Sequence, residues 1–251
     1  MKLALLSDIH ANIQALEACL AHAREQGSEF HVFLGDLVGY GADPSAVIER
    51  IAALPPDQTI AILGNHDAMA LQPPNEIKTV GDSTAAWTHR QLSAVQREWL
   101  AALPLTARRG SALFVHASAD NPERWKYVYD ARAAHASLSA ASADAGDIRH
   151  VFGGHVHLQT LYYRGAGDGL MAFAPQPGIS IPVPRHRQWL GTVGSVGQPR
   201  DGDSRAMYTV FDDSRCVLTF HRVAYDYLAA AQAIRRVCLP DFFAERLEQG
   251  R

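Results

Sequence analysis

Five times in this chain an apolar, β-prone run ends in a short motif rich in Asp, Asn, His or Gly: Asp8-Ile9-His10, Gly35-Asp36, Gly64-Asn65-His66-Asp67, His116 and Gly153-Gly154-His155-Val156-His157. A strand that ends in ligand-type residues delivers them to one edge of a sheet, so the five motifs are predicted to converge. No other feature constrains the fold as strongly.

The 251 residues suffice for one large α/β domain with a sizeable core. A single domain over 1–251 is expected, with a helical tail from about 224 to 251. The formal charge of −3 gives no reason for a broad polyanion-binding surface, so nucleic acid is disfavoured and any phosphate binding should be local. Cys19, Cys216 and Cys238 are scattered and odd in number, which predicts reduced thiols rather than a disulfide framework. The apolar start meets Asp8 too soon for a signal-peptide core or a membrane span, so a soluble cytoplasmic protein is expected.

Strand, ligand loop and helix recur along the first half. Lys2 to Leu6 reads as a strand, and Asn12 to Gln26 as a helix with Ile13, Leu16, Leu20 and Ala23 on one stripe and Gly27 as its stop. Phe30 to Leu34 is a second strand, and Pro44 to Ala53 a helix with Asp43 as cap. Thr59 to Leu63 is a third strand, Ser83 to Leu103 one or two helices, and Ala112 to Val115 the strand that delivers His116. The segment 118–147 reads as a loop followed by an Ala/Ser-rich helix. From Arg149 short strands follow at 151–152, 159–163, 170–173, 178–182, 206–211 and 216–222, suggesting a second, largely antiparallel sheet. Helices over 225–237 and 241–249, split by Pro240, close the chain. The predicted fold class is α/β, a four-layer α/β/β/α sandwich of two mixed sheets flanked by helices, with the polar motifs along its rim.

Asp8 and His10, one residue apart in a tight turn, can offer an oxygen and an imidazole to one cation, with His157 returning to it. Asn65, His116 and His155 suit a second cation. Asp36 could lend its two oxygens to both, the bridge that holds a metal pair roughly 3.5–4 Å apart. Mixed His and carboxylate ligation favours two divalent transition-metal ions from Mn, Fe, Zn, Ni and Co over Mg or Ca, with Mn or a mixed iron site expected.

This combination resembles the calcineurin-like metallophosphoesterase superfamily, whose motifs run D-x-H, G-D, G-N-H-D/E, H and G-H-x-H in the same order. The likeness to a bacterial single-domain branch extends through Ser7 to Asn12, Gly35 to Gly41, Gly194-Ser195-Val196-Gly197-Gln198-Pro199-Arg200 and Ala224-Tyr225-Asp226. By motif, the resemblance gives the first metal Asp8, His10, Asp36 and His157, and the second Asp36, Asn65, His116 and His155. It makes His66 the catalytic histidine, with Asp67 orienting its ring, and a metal-bridging hydroxide the nucleophile. The chain departs from the branch at Ala11, where glycine is usual, and at Thr192-Val193, where Asn-Pro is usual. Thr192 is expected to alter a loop near the substrate.

Outside the motifs, Arg200 is a candidate phosphate contact, its alternative being a salt bridge to Asp201 or Asp203. Tyr40 shapes the mouth of the site or belongs to a tight connection into the next helix. Trp125-Lys126-Tyr127 and Tyr129 read more simply as a packed loop with interior aromatics than as a lid stacking a nucleobase. His22, His31, His89, His135, His150, His186 and His221 read as surface or core residues. The stripe Tyr227, Leu228, Ala231 and Ile234 reads as core packing, and monomer and homodimer stay open. The expected function is hydrolysis of a small phosphate ester or anhydride, with a phosphodiester or nucleotide favoured. The alternatives are a non-catalytic scaffold of the same fold, and a protein phosphatase or a nuclease with a local groove of Arg185, Arg187, Arg200 and Arg205.

Overall fold

The computed structural model describes residues 1–165 and 169–251. Its strands are β1 (Lys2–Leu6), β2 (Phe30–Phe33), β3 (Thr59–Ala61), β4 (Thr106–Arg109), β5 (Ala112–Val115), β6 (His150–Gly153), β7 (Gln159–Arg164), β8 (Leu170–Phe173), β9 (Ser180–Pro182), β10 (Trp189–Val193), β11 (Ala206–Asp212) and β12 (Val217–Val223). Its helices are α1 (Ile13–Glu25), α2 (Pro44–Ala52), α3 (Asn65–Leu71), α4 (Val80–Gln91), α5 (Ala94–Ala101), α6 (Ala131–Asp144), α7 (Tyr227–Arg236) and α8 (Asp241–Gln249). Among the described residues no helix is long and apolar enough to cross a membrane.

Two mixed six-stranded sheets form, in the orders β3-β2-β1-β11-β12-β9 and β4-β5-β6-β10-β7-β8. In β1, Leu3 and Leu5 face the other sheet, meeting Phe114, Phe152, Leu161 and Val193 across a dry layer. Ala4 and Leu6 face outward into α1, α2 and α5. A strand covered on both sides has no polar face, which is why it reads as an unbroken apolar run. On the far side, Leu113, Val115, Val151 and Leu190 pack against Ala134, Leu138 and Ala141 of α6. The layers are therefore helix, sheet, sheet, helix.

Local chemistry sets the helix starts. Asn12 Oδ1 accepts from Ala15 N at 3.0 Å to cap α1, and Asp226 Oδ1 accepts from Ala229 N at 2.9 Å to cap α7. Ser93 and Gln96 form a reciprocal capping box that starts α5 afresh, splitting the predicted 83–103 segment in two. Asp43 stands at the start of α2 without a side-chain cap bond.

Several expectations need correction. The late strands do not form a sheet of their own, since β9, β11 and β12 join the first sheet through the antiparallel pair β1 and β11. The second sheet takes β4 and β5 from the first half, and its central strand, β10, was not foreseen. Trp189, Leu190, Gly191, Thr192 and Val193 lack alternation because every one is buried. Thr192 lies in that strand and not in a substrate loop, its hydroxyl donating to Leu158 O at 2.8 Å. Leu228 is half exposed, so it does not share the buried stripe of Ala231 and Ile234.

Candidate metal centre

β1, β2 and β3 run parallel in the first sheet, and β5, β6 and β10 run parallel in the second. The chain emerging from the C-terminal ends of β1, β2 and β6 turns at once, and it turns through left-handed backbone. Asp8, His10, Asp36, His155 and His157 have φ of 52°, 48°, 51°, 67° and 57°. This conformation disfavours most L-residues but is better tolerated by Asp and His, and its cost is commonly met at functional sites. Gly154 permits a close approach between the turns, because a Cβ there would meet Ser7 Oγ at 1.8 Å and Asp8 Oδ2 at 2.3 Å. The segment after β10 clamps the same edge, with Gly197 N donating to Asp8 O at 2.9 Å and Ser195 Oγ donating to it at 2.8 Å.

Two buried triads result, Asp8 with His10 and His157, and Asp36 with His116 and His155. In the first, His157 Nε2 lies 3.2 Å from His10 Nε2 and 3.2 Å from Asp8 Oδ1. In the second, His116 Nε2 faces His155 Nδ1 at 3.2 Å, Asn65 Oδ1 at 3.0 Å and Asp36 Oδ2 at 3.3 Å. Asp36 Oδ2 is also 3.9 Å from His10 Nε2, so this one oxygen lies between the triads. The other, Oδ1, accepts the His66 backbone N–H at 2.8 Å. The carboxylate thus faces the two triads through a single oxygen rather than through both, as the sequence suggested.

The donor set fits a pair of cations. His116 Nδ1 donates to Leu34 O at 2.8 Å and His157 Nδ1 to Gln198 O at 2.6 Å; a carbonyl only accepts, so in the neutral rings each Nε2 presents a lone pair. The His116 lone pair points at His155 Nδ1 and Asp36 Oδ2, and the His157 lone pair at His10 Nε2 and Asp8 Oδ1. Asp8 Oδ1 is buried with no hydrogen-bond partner. A proton at His116 can serve only one of its three acceptors, whereas a cation serves all. Without cations the strain shows in the titration. Burial opposes the charge of His116, yet Asp36 and Asp8 raise it to about 9. His155 falls to about 4, through burial and the neighbouring His116. Asp36 stays well below the usual carboxylate range despite burial, held there by His116 and His66.

The family signature described as calcineurin-like phosphoesterase matches residues 1–159. The chain belongs to that family. It is 32% identical to a metallophosphoesterase from Sphaerobacter thermophilus, whose crystal structure superposes with a TM-score of 0.87 over 100% of this chain and 99% of that one. An uncharacterised protein of Methanocaldococcus jannaschii is 30% identical over 99% of this chain and 98% of its own length. A 92-residue stretch is 37% identical to the symmetrical bis(5′-nucleosyl)-tetraphosphatase of Janthinobacterium sp. (strain Marseille), covering 34% of this chain and 32% of that one. As a member of the calcineurin-like family, this chain shares a fold that carries a dinuclear metal centre, and the two triads are its candidate sites.

His66 stands in the first turn of α3, a short helix the sequence reading missed because its seven residues also supply the motif. Its ring packs against Tyr40 at 4.2 Å and edge-on to His10 at 5.2 Å between centroids. Burial keeps it below the usual imidazole range. Asp67 does not orient that ring. Its oxygens accept from Gly64 N at 2.9 Å and Val38 N at 3.1 Å, tying the loop after β2 to the loop after β3, while His66 Nδ1 has no partner. Burial and the charge of Asp36 push Asp67 up to about 7.

The aromatic loop is not interior. Tyr127 and Tyr129 are about half exposed and stacked on each other, and Tyr127 also stacks on His155 at 4.0 Å. Trp125 meets His116 edge-on at 5.8 Å. With Asn65, Ala68, Met69, Gln72 and His155, Trp125 and Tyr127 line an open cleft of about 430 Å³ beside the second triad. Arg200 does not pair with Asp201 or Asp203, whose carboxylates hold Arg222 and Arg205. It lies beside the Tyr40 hydroxyl, which burial raises to about 12. Arg185 donates to Asp213 O and Arg187 covers Tyr163, so the four arginines of the imagined groove have separate surroundings.

Proposed function

We propose that the protein is a dinuclear-metal phosphoesterase that hydrolyses a small phosphate ester or anhydride, with phosphodiesters and nucleotides favoured. The carrying observation is Asp36 Oδ2, the one anionic oxygen facing both triads. Asp8, His10, Asp36 and His157 would hold one cation, and Asp36, Asn65, His116 and His155 the other. Such a pair supplies an acidified water and neutralises the phosphate oxygens on which charge grows. His66, buried against Tyr40 beside the first triad, serves as the hydrogen-bond or proton donor to the departing oxygen. Arg200 and Tyr40 form the rim on that side. The nucleotide preference draws on the half-buried Trp125 and the exposed Tyr127 that line the cleft, since aromatic faces stack bases without regard to sequence, and on the partial likeness to a bis(5′-nucleosyl)-tetraphosphatase.

The test combines metal analysis of the purified protein with turnover of bis-p-nitrophenyl phosphate under Mn, Ni, Co and Fe. Two metals per chain with metal-dependent turnover is the expected result. Bound metal with no turnover under any of the four would favour a non-catalytic scaffold.

A further inference from the structure

Gln198 Oε1 accepts from Arg200 Nε at 3.2 Å, Arg200 Nη2 at 2.8 Å and Arg246 Nη1 at 3.2 Å. Two guanidinium groups are thus gathered on one neutral oxygen. Arg200 uses two of its five N–H groups there and Arg246 one. Among the described residues neither forms an ion pair, in a chain where acidic residues outnumber Lys and Arg by 26 to 23. The other arginines near this edge, Arg205 and Arg222, are both neutralised by carboxylates. The two half-buried like charges repel, and Arg246 titrates below its usual range through burial and through Arg200.

The pair lies at the candidate centre. Gln198 O accepts from His157 Nδ1, and the Tyr40 hydroxyl lies beside both guanidinium groups. Helix α8 holds them in place, with Phe243 stacked on Tyr40 at 4.7 Å and Arg246 lying over Phe242 at 4.4 Å. Tyr40 in turn packs on His66. The arginines therefore stand beside Tyr40, on the His66 side of the centre.

We propose that Arg246 and Arg200 form a second anion subsite, which grips a phosphate carried by the leaving group of the substrate. The inference rests on the phosphoesterase reading above and narrows it to phosphoanhydrides and to esters whose leaving group is itself phosphorylated. A phosphate is the species that fits, because each planar fork can bond two of its oxygens and its charge relieves the repulsion between the forks.

The experiment has two arms. Binding of methylenediphosphonate, a diphosphate that cannot be hydrolysed, is measured by calorimetry on the purified protein and on R246Q; affinity should fall about tenfold or more. In wild-type protein, where folding of the variant is not at issue, the diphosphonate should protect Arg200 and Arg246 from phenylglyoxal. In the second arm, the ratio of kcat/KM for ADP to that for p-nitrophenyl phosphate should fall about tenfold in R246Q. Equal diphosphonate binding by both proteins, no protection, or an unchanged ratio overturns the proposal. If neither substrate is hydrolysed while the diphosphonate still binds through the arginines, the phosphoesterase reading fails and the anion subsite stands.

Discussion

The Nε2 atoms of His10 and His157 approach to 3.2 Å, although His157 already donates its Nδ1 proton to Gln198 O. A cation between them would be held by both rings and by Asp8, so metal loading should stabilise the fold. At a hundred to a thousand times the dissociation constant, binding adds about 3–4 kcal/mol. For a chain of this size that raises Tm by roughly 5–15 °C. Differential scanning calorimetry with and without chelator checks it, and identical midpoints would count against the centre.

Replacing Asp36 with Asn keeps an acceptor for His66 N but puts an amide where both triads need an anion. Both metals should weaken together, with turnover down by at least about a hundredfold. Two full equivalents of metal and normal turnover in this variant would refute the shared role.

His66→Gln should leave two metals per chain and slow kcat by roughly 10²–10⁴. The ring contacts Tyr40 and lies outside both triads. Loss of metal on this substitution, read by elemental analysis, would make His66 a ligand instead.

Ala11 occupies φ 52°, a conformation whose crowding of Cβ costs about 1–2 kcal/mol. Part of the gain from glycine is lost to the greater freedom of the unfolded chain. Ala11→Gly should therefore stabilise by about 1 kcal/mol, or roughly 2–4 °C in Tm. A lower midpoint would show that the methyl group contributes packing that outweighs the strain.

Away from the centre, His221 is stacked on Tyr208 and close to His22; burial first, then the charges of His22 and Lys2, lower it to about 4. A depressed histidine favours the fold while neutral. Its contribution is complete above about pH 6.5 and is lost as pH falls toward 4. Urea unfolding across that window should show a steeper loss in wild-type protein than in His221→Gln. Parallel slopes would exclude the effect.

The sequence was most legible where local chemistry acts alone. Lys2 to Leu6, the helix that follows Asn12 and the strand ends before Asp8, Asp36 and His116 fall where the sequence places them, because a buried strand and a tight turn each impose their own residue pattern. The sheet order did not, since the pairing of Leu3 with Phe211 depends on contacts about two hundred positions apart. β10 hid because burial on both faces erases alternation, and α3 because its first turn doubles as a motif. Arg246 carries no motif at all. Only the docking of α8, set by Phe243 against Tyr40, reveals which way its helix face points.

The pairing of β1 with β11 has a bearing on synthesis. All seven donor residues have been translated by His157, yet the strand that secures Asp8 from its other flank ends only at Asp212. At about 5–20 residues per second, a growing polypeptide carries a complete but unfixed set of donors for roughly three to eleven seconds. Ions captured in that interval would meet a loose chelate, so discrimination among metals must wait until the last third of the protein has left the ribosome.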